Sequence, residues 1–156
     1  MAGSERAVSP AANQRTAGRD EVDYTVTRTY HLTGGGTVTN PPETTSATTV
    51  AIGTPFAGHL TRRLDFAVPA GQVETIVVDV TYDDPSRGHR VERRVELDGA
   101  ALATTHVRFG IVDPTLRTTT TQATLLGPAG AVVRGAPFTG VAEFLSVAAD
   151  GTITGA

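Results

Sequence analysis

Four histidines are the side chains of this sequence best suited to acid–base or metal chemistry, and their spacing favours neither. No two of them form the HxH or HExxH pattern that brings two ring nitrogens to one metal ion. We therefore predict solvated surface histidines at positions 31, 59, 89 and 106. A small β-barrel enzyme is an alternative, and it requires at least two of them to converge with an Asp or Glu in one pocket.

A group of acidic residues surrounds one predicted turn. Asp79, Asp83 and Asp84 lie close in sequence to Ser86 and His89, and carboxylate oxygens are ligands that calcium prefers. The spacing does not match an EF-hand loop, whereas Asp-Asp-Pro-Ser-Arg-Gly is ordinary hairpin-turn chemistry. The sequence therefore predicts a turn here, and it indicates no metal site and no cofactor.

Reactive nucleophiles are scarce along the chain. There is no cysteine, which removes thiolate catalysis and Cys-ligated metal centres. All 13 basic residues are arginine, which removes a P-loop lysine and a Schiff-base lysine. The five serines show no nucleophile-elbow pattern. We predict no catalytic residues and expect a protein that is not an enzyme.

The charge balance and the apolar runs limit the partners of the chain. A net charge of −3, with the arginines scattered, provides no basic stripe for nucleic acid. No stretch approaches the roughly 18 apolar residues of a membrane span, and residues 1–10 lack the apolar core of a signal peptide. We therefore expect no nucleic-acid partner, no membrane span, and synthesis in the cytoplasm, with a particle as one destination.

Period-2 alternation of apolar and polar residues predicts an all-β chain, because it buries one face of a strand and leaves the other wet. Such runs extend from Ile76 to Arg134 and predict one long antiparallel meander. We predict eight or nine strands at spacings of roughly 8–12 residues, the pattern of an antiparallel β-sandwich. The runs cover 76–82, 90–97, 105–111 and 117–126 in the meander, and 22–32, 47–52, 59–68 and 141–147 outside it.

Two segments fall outside this pattern. Residues 1–20 are small, polar and aperiodic, which predicts an arm that is flexible or is ordered by a neighbouring subunit. Residues 33–46 form a long loop rich in Gly, Pro and Thr, and loops of this length are usually functional or disordered. The predicted organisation is an arm at 1–20 followed by one β-sandwich domain at 21–156.

One predicted strand carries a charge on its apolar face. Arg62 falls between Leu60 and Leu64 on the inward side of the run 59–68. Because an unpaired buried charge is costly, we predict that this end of the strand lies at the rim of the core.

The stretch from Phe109 to Gly130 resembles the late strands of immunoglobulin-like and fibronectin-III-like sandwich modules. It contains a strand, an Asp-Pro corner at Asp113, a threonine-rich strand and a glycine turn. The chain lacks the Cys…Trp…Cys pattern of true immunoglobulin domains, so the resemblance implies only the general sandwich. Modules of this kind commonly act as adhesive, spacer or particle-building units, although a shared fold does not fix a function.

Exposed strand faces carry the residues best suited to contact a partner. Charges alternate in sign from Arg90 to Glu96, and one interpretation is a solvated face with cross-strand ion pairs to His106 and Arg108 or to Glu74 and Asp79. The other interpretation is a face that docks a neighbouring copy. The threonine-rich run is either an exposed strand or a flat surface for ice or sugar. The candidate subunit contacts are Arg90, Glu92, Arg94, Glu96, Arg108, Thr119 and Thr121.

We therefore expect a non-enzymatic structural or assembly subunit of a multi-subunit particle, filament, capsid or tail-like machine. Its expected partners are other copies of itself or other particle proteins. The alternative is a β-sandwich module that binds carbohydrate or another ligand through the loops at one end of the sandwich.

Overall fold

The computed structural model describes residues 22–32 and 36–156, and these residues form strands joined by turns, two of which are short 3₁₀ turns. The predicted all-β class is confirmed. The arm predicted at 1–20 lies outside the described residues. The strands are β1 Tyr24–Val26, β2 Thr29–His31, β3 Thr37–Thr39, β4 Glu43–Thr45, β5 Gly58–Ala67, β6 Thr75–Asp84, β7 His89–Asp98, β8 Thr105–Ile111, β9 Thr119–Leu126, β10 Val132–Arg134, β11 Phe138–Gly140, β12 Phe144–Ala148 and β13 Ile153–Gly155.

The five-stranded sheet has the order β10-β9-β6-β7, and β11 also pairs with β9. β6 and β7 form an antiparallel hairpin that runs from Thr75 opposite Asp98 to Asp84 opposite His89. The predicted turn between them is confirmed, because a 3₁₀ turn at Pro85–Arg87 ends at Gly88 with φ of +59°. This hairpin places β7 at the outer edge of the sheet.

The four-stranded sheet has the order β13-β12-β5-β8 and is mixed. β12 runs parallel to β5, with Leu145 opposite Leu64 and Val147 opposite Phe66, whereas the other neighbours are antiparallel. The prediction that all strands pair antiparallel is therefore wrong. A hairpin turn forces antiparallel pairing, but β12 follows β11 of the other sheet, and a crossover connection permits either direction.

The predicted meander from Ile76 to Arg134 is also wrong. β7 and β8 are consecutive in sequence but belong to different sheets, and β9 returns to the first sheet. At the end of β7 the Gly99 N–H donates to the Glu74 carbonyl and the Ala100 N–H donates to the Asp98 carboxylate, and the chain then passes to β8 in the other sheet. Alternation specifies which face of a strand is buried, and it does not specify the neighbouring strand.

One hydrophobic cluster joins the inward faces of the two larger sheets. Along β5 and β6, buried residues alternate with more exposed ones, which confirms the period-2 prediction for these strands. Removing this apolar surface from water supplies the main driving force for folding. The cluster draws Leu60, Leu64, Val107, Phe109, Ile111, Leu145, Val147 and Ile153 from the four-stranded sheet and Ile76, Val78, Val80, Tyr82, Ala123 and Leu125 from the five-stranded sheet.

The first strands form an interrupted hairpin in place of the predicted single strand and long loop. β1 pairs with β4 and β2 pairs with β3, so residues 37–45 supply strands where a loop at 33–46 was predicted. The ladder breaks at Pro41 and Pro42, whose missing N–H groups cannot continue it. Residues 33–35 lie outside the described part of the chain, and the strand predicted at 47–52 is absent from the described residues.

A second interruption separates β10 from β11 along the edge of β9. The pairing shifts by one residue between Arg134 opposite Thr124 and Phe138 opposite Thr121, around Gly135 and Pro137. A methyl group on Gly135 would lie 1.9 Å from the Gly151 carbonyl oxygen, so this break packs directly against the turn between β12 and β13. The close approach requires glycine and ties the edges of the two sheets together.

Candidate functional site

The predicted charged face lies on β7 and is exposed. Arg90, Glu92, Arg94 and Glu96 all point to the solvent side of the strand, as predicted. The alternate residues, among them Val91 and Val95, pack in part against the core. β7 therefore has one apolar face and one face on which positive and negative charges alternate.

Carboxylates of β6 hold the arginines of this face. Arg94 Nε lies 2.7 Å from Asp79 Oδ1, and this confirms the predicted cross-strand pair with Asp79. Arg90 Nη1 lies 3.2 Å from Asp83 Oδ2, and its Nη2 lies 2.7 Å from Glu92 Oε1. The hydrogen bond to Glu92 raises the pKa of Arg90, and the hydrogen bond to Asp79 raises the pKa of Arg94. Because exposed ion pairs stabilise a fold only slightly, their main effect is to order the side chains.

The ion pairs predicted between β7 and His106 or Arg108 are wrong, because β8 pairs with β5 in the other sheet. Arg108 stands opposite Thr61, and its side chain is exposed. The structure therefore does not bring Arg108 together with the four charged residues of β7.

The exposed positions predicted for Thr119 and Thr121 are also wrong. Their side chains are 2% and 0% exposed and lie on the same face of β9 as Ala123 and Leu125. Thr119 and Thr121 alternate along the sequence in step with these two apolar residues, and this spacing could have indicated that they are buried. The outward threonine is Thr120, whose hydroxyl lies 3.0 Å from that of Thr139 on β11.

No described strand pairs with the outer edge of β7, and Gly36 packs against the backbone of Gly88 and His89 where the strand begins. In the described part of the chain only β6 pairs with this strand. The alternate residues of this ten-residue strand whose N–H and C=O groups point away from β6 therefore present a row of backbone groups that no described strand occupies. Such an edge can accept a further strand from another molecule.

A cleft of about 530 Å³ lies beside this edge. It is lined by residues 89–93 of β7 together with Leu32, Phe56 and Gly110. Residues 89–93 at the edge of β7 and the aromatic residue Phe56 thus line one concave region.

The expected exposure of His89 is wrong, whereas His31, His59 and His106 are exposed as predicted. The His89 side chain is only 2% exposed, and its Nε2 lies 2.9 Å from the Gly110 carbonyl oxygen. The ring centroids of Phe56 and Tyr82 each lie 5.6 Å from that of His89. His89 shares the parity of the apolar residues on β7, which would have indicated burial.

Two further polar groups are buried near His89. The Asp84 side chain is 1% exposed, and it accepts a hydrogen bond of 2.6 Å from Ser86 Oγ. The Tyr82 hydroxyl, like His89 Nδ1, has no hydrogen-bond partner among the described residues. Burial raises the pKa of Tyr82 to about 12, with the Asp84 charge as the next cause. A phenol with this pKa stays neutral at physiological pH, so it cannot act there as a base.

The described residues contain no group of three or more His, Cys, Asp or Glu side chains that could hold a metal ion. The acidic side chains near the β6–β7 turn instead interact with other side chains of the protein. Asp79 and Asp83 pair with arginines, and Asp84 accepts from Ser86.

Arg62 is fully buried, so its predicted position at the rim of the core is wrong. Its Nε donates to Thr119 Oγ1 at 2.9 Å, and its other nitrogens donate to the carbonyls of Thr61 and Arg117. Burial lowers the pKa of the guanidinium, while the charge of Glu143 raises it. Neutral oxygen atoms thus accept hydrogen bonds from the buried guanidinium of Arg62 on the inward face of β5. We interpret the role of Arg62 as structural.

Within residues 22–32 and 36–156, no helix is long and apolar enough to cross a lipid bilayer. Comparison of the chain with models of protein families, with curated proteins and with solved structures gave no match.

Proposed function

We propose that this chain is a non-enzymatic structural subunit that assembles with other copies of itself through the open edge of β7. This contact joins chains in pairs, and further contacts between the pairs build a particle, filament, capsid or tail-like machine in which the chain is a repeated building unit. We also propose that the two larger sheets are the layers of a β-sandwich, whose shared core leaves the β7 edge available to a partner.

The open, charged edge of β7 is the observation that carries this proposal. It is ten residues long, and no described strand pairs with its outer side. A charged edge normally discourages pairing, because an apolar strand from another protein would have to bury the charges. When the signs alternate, however, an antiparallel copy of the same strand can place opposite charges across the contact.

The energetics of strand addition agree with this function. Each added backbone hydrogen bond contributes about 0.5–1.5 kcal/mol net. Ion pairs across the new contact add about 0.2–1 kcal/mol each. The arginines are already ordered by Asp79 and Asp83, so less side-chain entropy is lost when a second copy binds.

Sedimentation of the purified chain over a wide range of concentrations tests the proposal. We expect the mass to rise above that of the monomer with concentration. The variant Glu92→Arg/Glu96→Arg makes all four charged positions from 90 to 96 on the solvent face of β7 positive, and we expect it to remain monomeric. The control is Asp23→Arg/Glu74→Arg, which makes the same change in net charge at exposed positions outside β7. A monomeric wild-type chain at every concentration would contradict the proposal.

A second candidate function is ligand binding in the cleft beside His89. The observation in its favour is the concave volume of about 530 Å³ with an aromatic ring, Phe56, among its lining residues. Rings of this kind stack on sugars and other flat apolar groups. A glycan array followed by NMR titration tests it, with Phe56→Ala as the variant. Chemical-shift changes at residues 89–93 that Phe56→Ala abolishes would favour this function, whereas an array without hits would exclude carbohydrate.

A further inference from the structure

The geometry points to one register for this contact: two copies of β7 pair antiparallel about a two-fold axis that passes beside Arg93. This inference rests on the proposed self-association and specifies the partner surface. It places Arg90 of each copy opposite Glu96 of the other, and Glu92 opposite Arg94. The contact is isologous, so every pair occurs twice.

The spacing of charges along the solvent face selects this register. Residues opposite each other in an antiparallel pair lie on the same face of the sheet, so allowed registers differ in steps of two residues along each strand. A shift in one direction places Arg90 opposite Arg94 and Glu92 opposite its own copy. A shift in the other direction places Glu92 opposite Glu96 and Arg94 opposite its own copy, although it also places Arg90 opposite Asp98. In the register centred on Arg93, all four charged residues of the solvent face from Arg90 to Glu96 face the opposite sign and no like charges meet on that face.

The ion pairs already present within the chain are compatible with this contact. Asp79 uses the Nε and Nη2 groups of Arg94, which leaves further N–H donors of that guanidinium for Glu92 of the second copy. Glu96 is exposed and forms no ion pair with any described residue. The contact would therefore supply Glu96 with its cation, Arg90 of the second copy.

The opposite face of β7 gives the same register a second, testable property. There Val91 would stand opposite Val95 of the second copy, and these valines already pack in part against the core. Arg93, which is exposed, would stand opposite its own copy at the axis. Like charges directly opposite each other destabilise a strand pair. Removing this charge should therefore tighten the association, which is unusual for the loss of an exposed arginine.

Disulfide crosslinking can map the register, because the natural chain contains no cysteine. Directly opposite residues have Cα atoms about 4.5–5.5 Å apart, within the range of a disulfide. We expect Arg93→Cys to form a covalent dimer rapidly under mild oxidation. Glu96→Cys is the matched control, because its two copies would lie about 20 Å apart in this register. A second measurement uses Arg93→Gln, for which we expect a dissociation constant about two- to fivefold lower than that of the wild type.

The outcomes separate this inference from the proposed function. Rapid crosslinking at position 93 and not at position 96, with tighter association of Arg93→Gln, supports the register. If the wild type associates but Arg93→Cys does not crosslink, or if Arg93→Gln binds no more tightly, the register is wrong and the proposed assembly stands. If the wild type is monomeric at every concentration, both proposals fail.

Discussion

Arg62 Nε donates a hydrogen bond of 2.9 Å to Thr119 Oγ1, and this buried bond joins β5 of one sheet to β9 of the other. Arg62 lies between apolar residues on the inward face of β5, and Thr119 shares the inward face of β9 with Thr121, Ala123 and Leu125. A buried donor without a partner costs more free energy than a formed hydrogen bond contributes. The bond therefore removes the cost of burying these two polar groups and also links the two sheets.

This link predicts opposite effects for two neighbouring threonines. Thr119→Val removes the acceptor of Arg62, and we expect it to lower the free energy of unfolding by about 1–3 kcal/mol. Thr121→Val is the matched control, because the Thr121 hydroxyl is buried without a hydrogen-bond partner among the described residues. We expect Thr121→Val to leave stability unchanged or to raise it by about 1 kcal/mol. Urea denaturation measures both, and equal losses in the two variants would contradict the role of Thr119.

The buried hydroxyl of Tyr82 predicts a loss of stability at alkaline pH. Its pKa is raised to about 12 in the folded chain, from 10.0 for an ordinary tyrosine. The unfolded chain therefore releases this proton first, and the resulting stabilisation is present below pH 10 and is lost as the pH rises to about 12. The two-unit difference corresponds to roughly 2–3 kcal/mol. We expect Tyr82→Phe to abolish this part of the loss, measured as the difference in unfolding free energy between variant and wild type across this range. A difference that does not change with pH would show that Tyr82 titrates normally.

The contact between Gly135 and Gly151 predicts a site where even a methyl group is not tolerated. Gly135→Ala would place its Cβ 1.9 Å from the Gly151 carbonyl oxygen, so backbone must move at the junction of two turns. We expect a loss of about 1–3 kcal/mol or more in the free energy of unfolding. Gly53→Ala is the control, because nothing described lies within 4 Å of a Cβ there. Thermal denaturation that shows the same midpoint for both variants would argue against this packing.

The alternation of apolar and polar residues predicted correctly which face of a strand is buried. It predicted poorly which strands pair with each other. The outward position of the charges from Arg90 to Glu96 and the inward position of Leu60 and Leu64 follow from parity alone. The pairing of β8 with β5 does not, because it depends on which sheet completes the core after the chain leaves β7. The parallel pair of β12 and β5 is a consequence of the same kind of crossover.

The sequence also predicted wrongly the positions of several polar residues that lie on buried strand faces. Arg62, His89 and Thr119 each have the parity of apolar neighbours, yet their chemistry suggested exposure or the rim of the core. Their burial depends on partners distant in sequence, such as the Gly110 carbonyl for His89. A pattern along one strand cannot show that such a partner exists.

Charge complementarity across β7 predicts rescue by a charge swap. Arg94→Glu places like charges opposite each other at two symmetric positions, and we expect the dissociation constant to rise at least about fivefold. Glu92→Arg/Arg94→Glu restores opposite signs across the contact, and we expect much of the affinity to return. Both variants lose the pair with Asp79, and the double variant also loses the Arg90–Glu92 pair within the chain, so a recovery of affinity despite that further loss reports on the second copy. Equal weakening in the two variants, measured by sedimentation, would argue against pairing of these positions.

The ionic contacts also predict a dependence on salt. Exposed charges are screened over about 8 Å at physiological ionic strength and over about 3 Å at 1 M. We expect added sodium chloride to weaken the self-association of the wild type. The variant Arg93→Gln should remain tighter than the wild type at low salt, and the gap should narrow as salt screens the repulsion at the axis. Association that strengthens steadily with salt would indicate an apolar contact elsewhere on the chain.

Hydrogen exchange of the β7 backbone, compared between dilute and concentrated solutions, tests self-association through this edge most directly. Strand pairing predicts that amides within 89–98 gain protection with concentration at alternate residues, those whose N–H groups point away from β6. The amides of β10, at the opposite edge of the sheet, should not change. If the mass rises with concentration while β7 exchange stays constant, or if protection appears at β10 instead, assembly through β7 is contradicted.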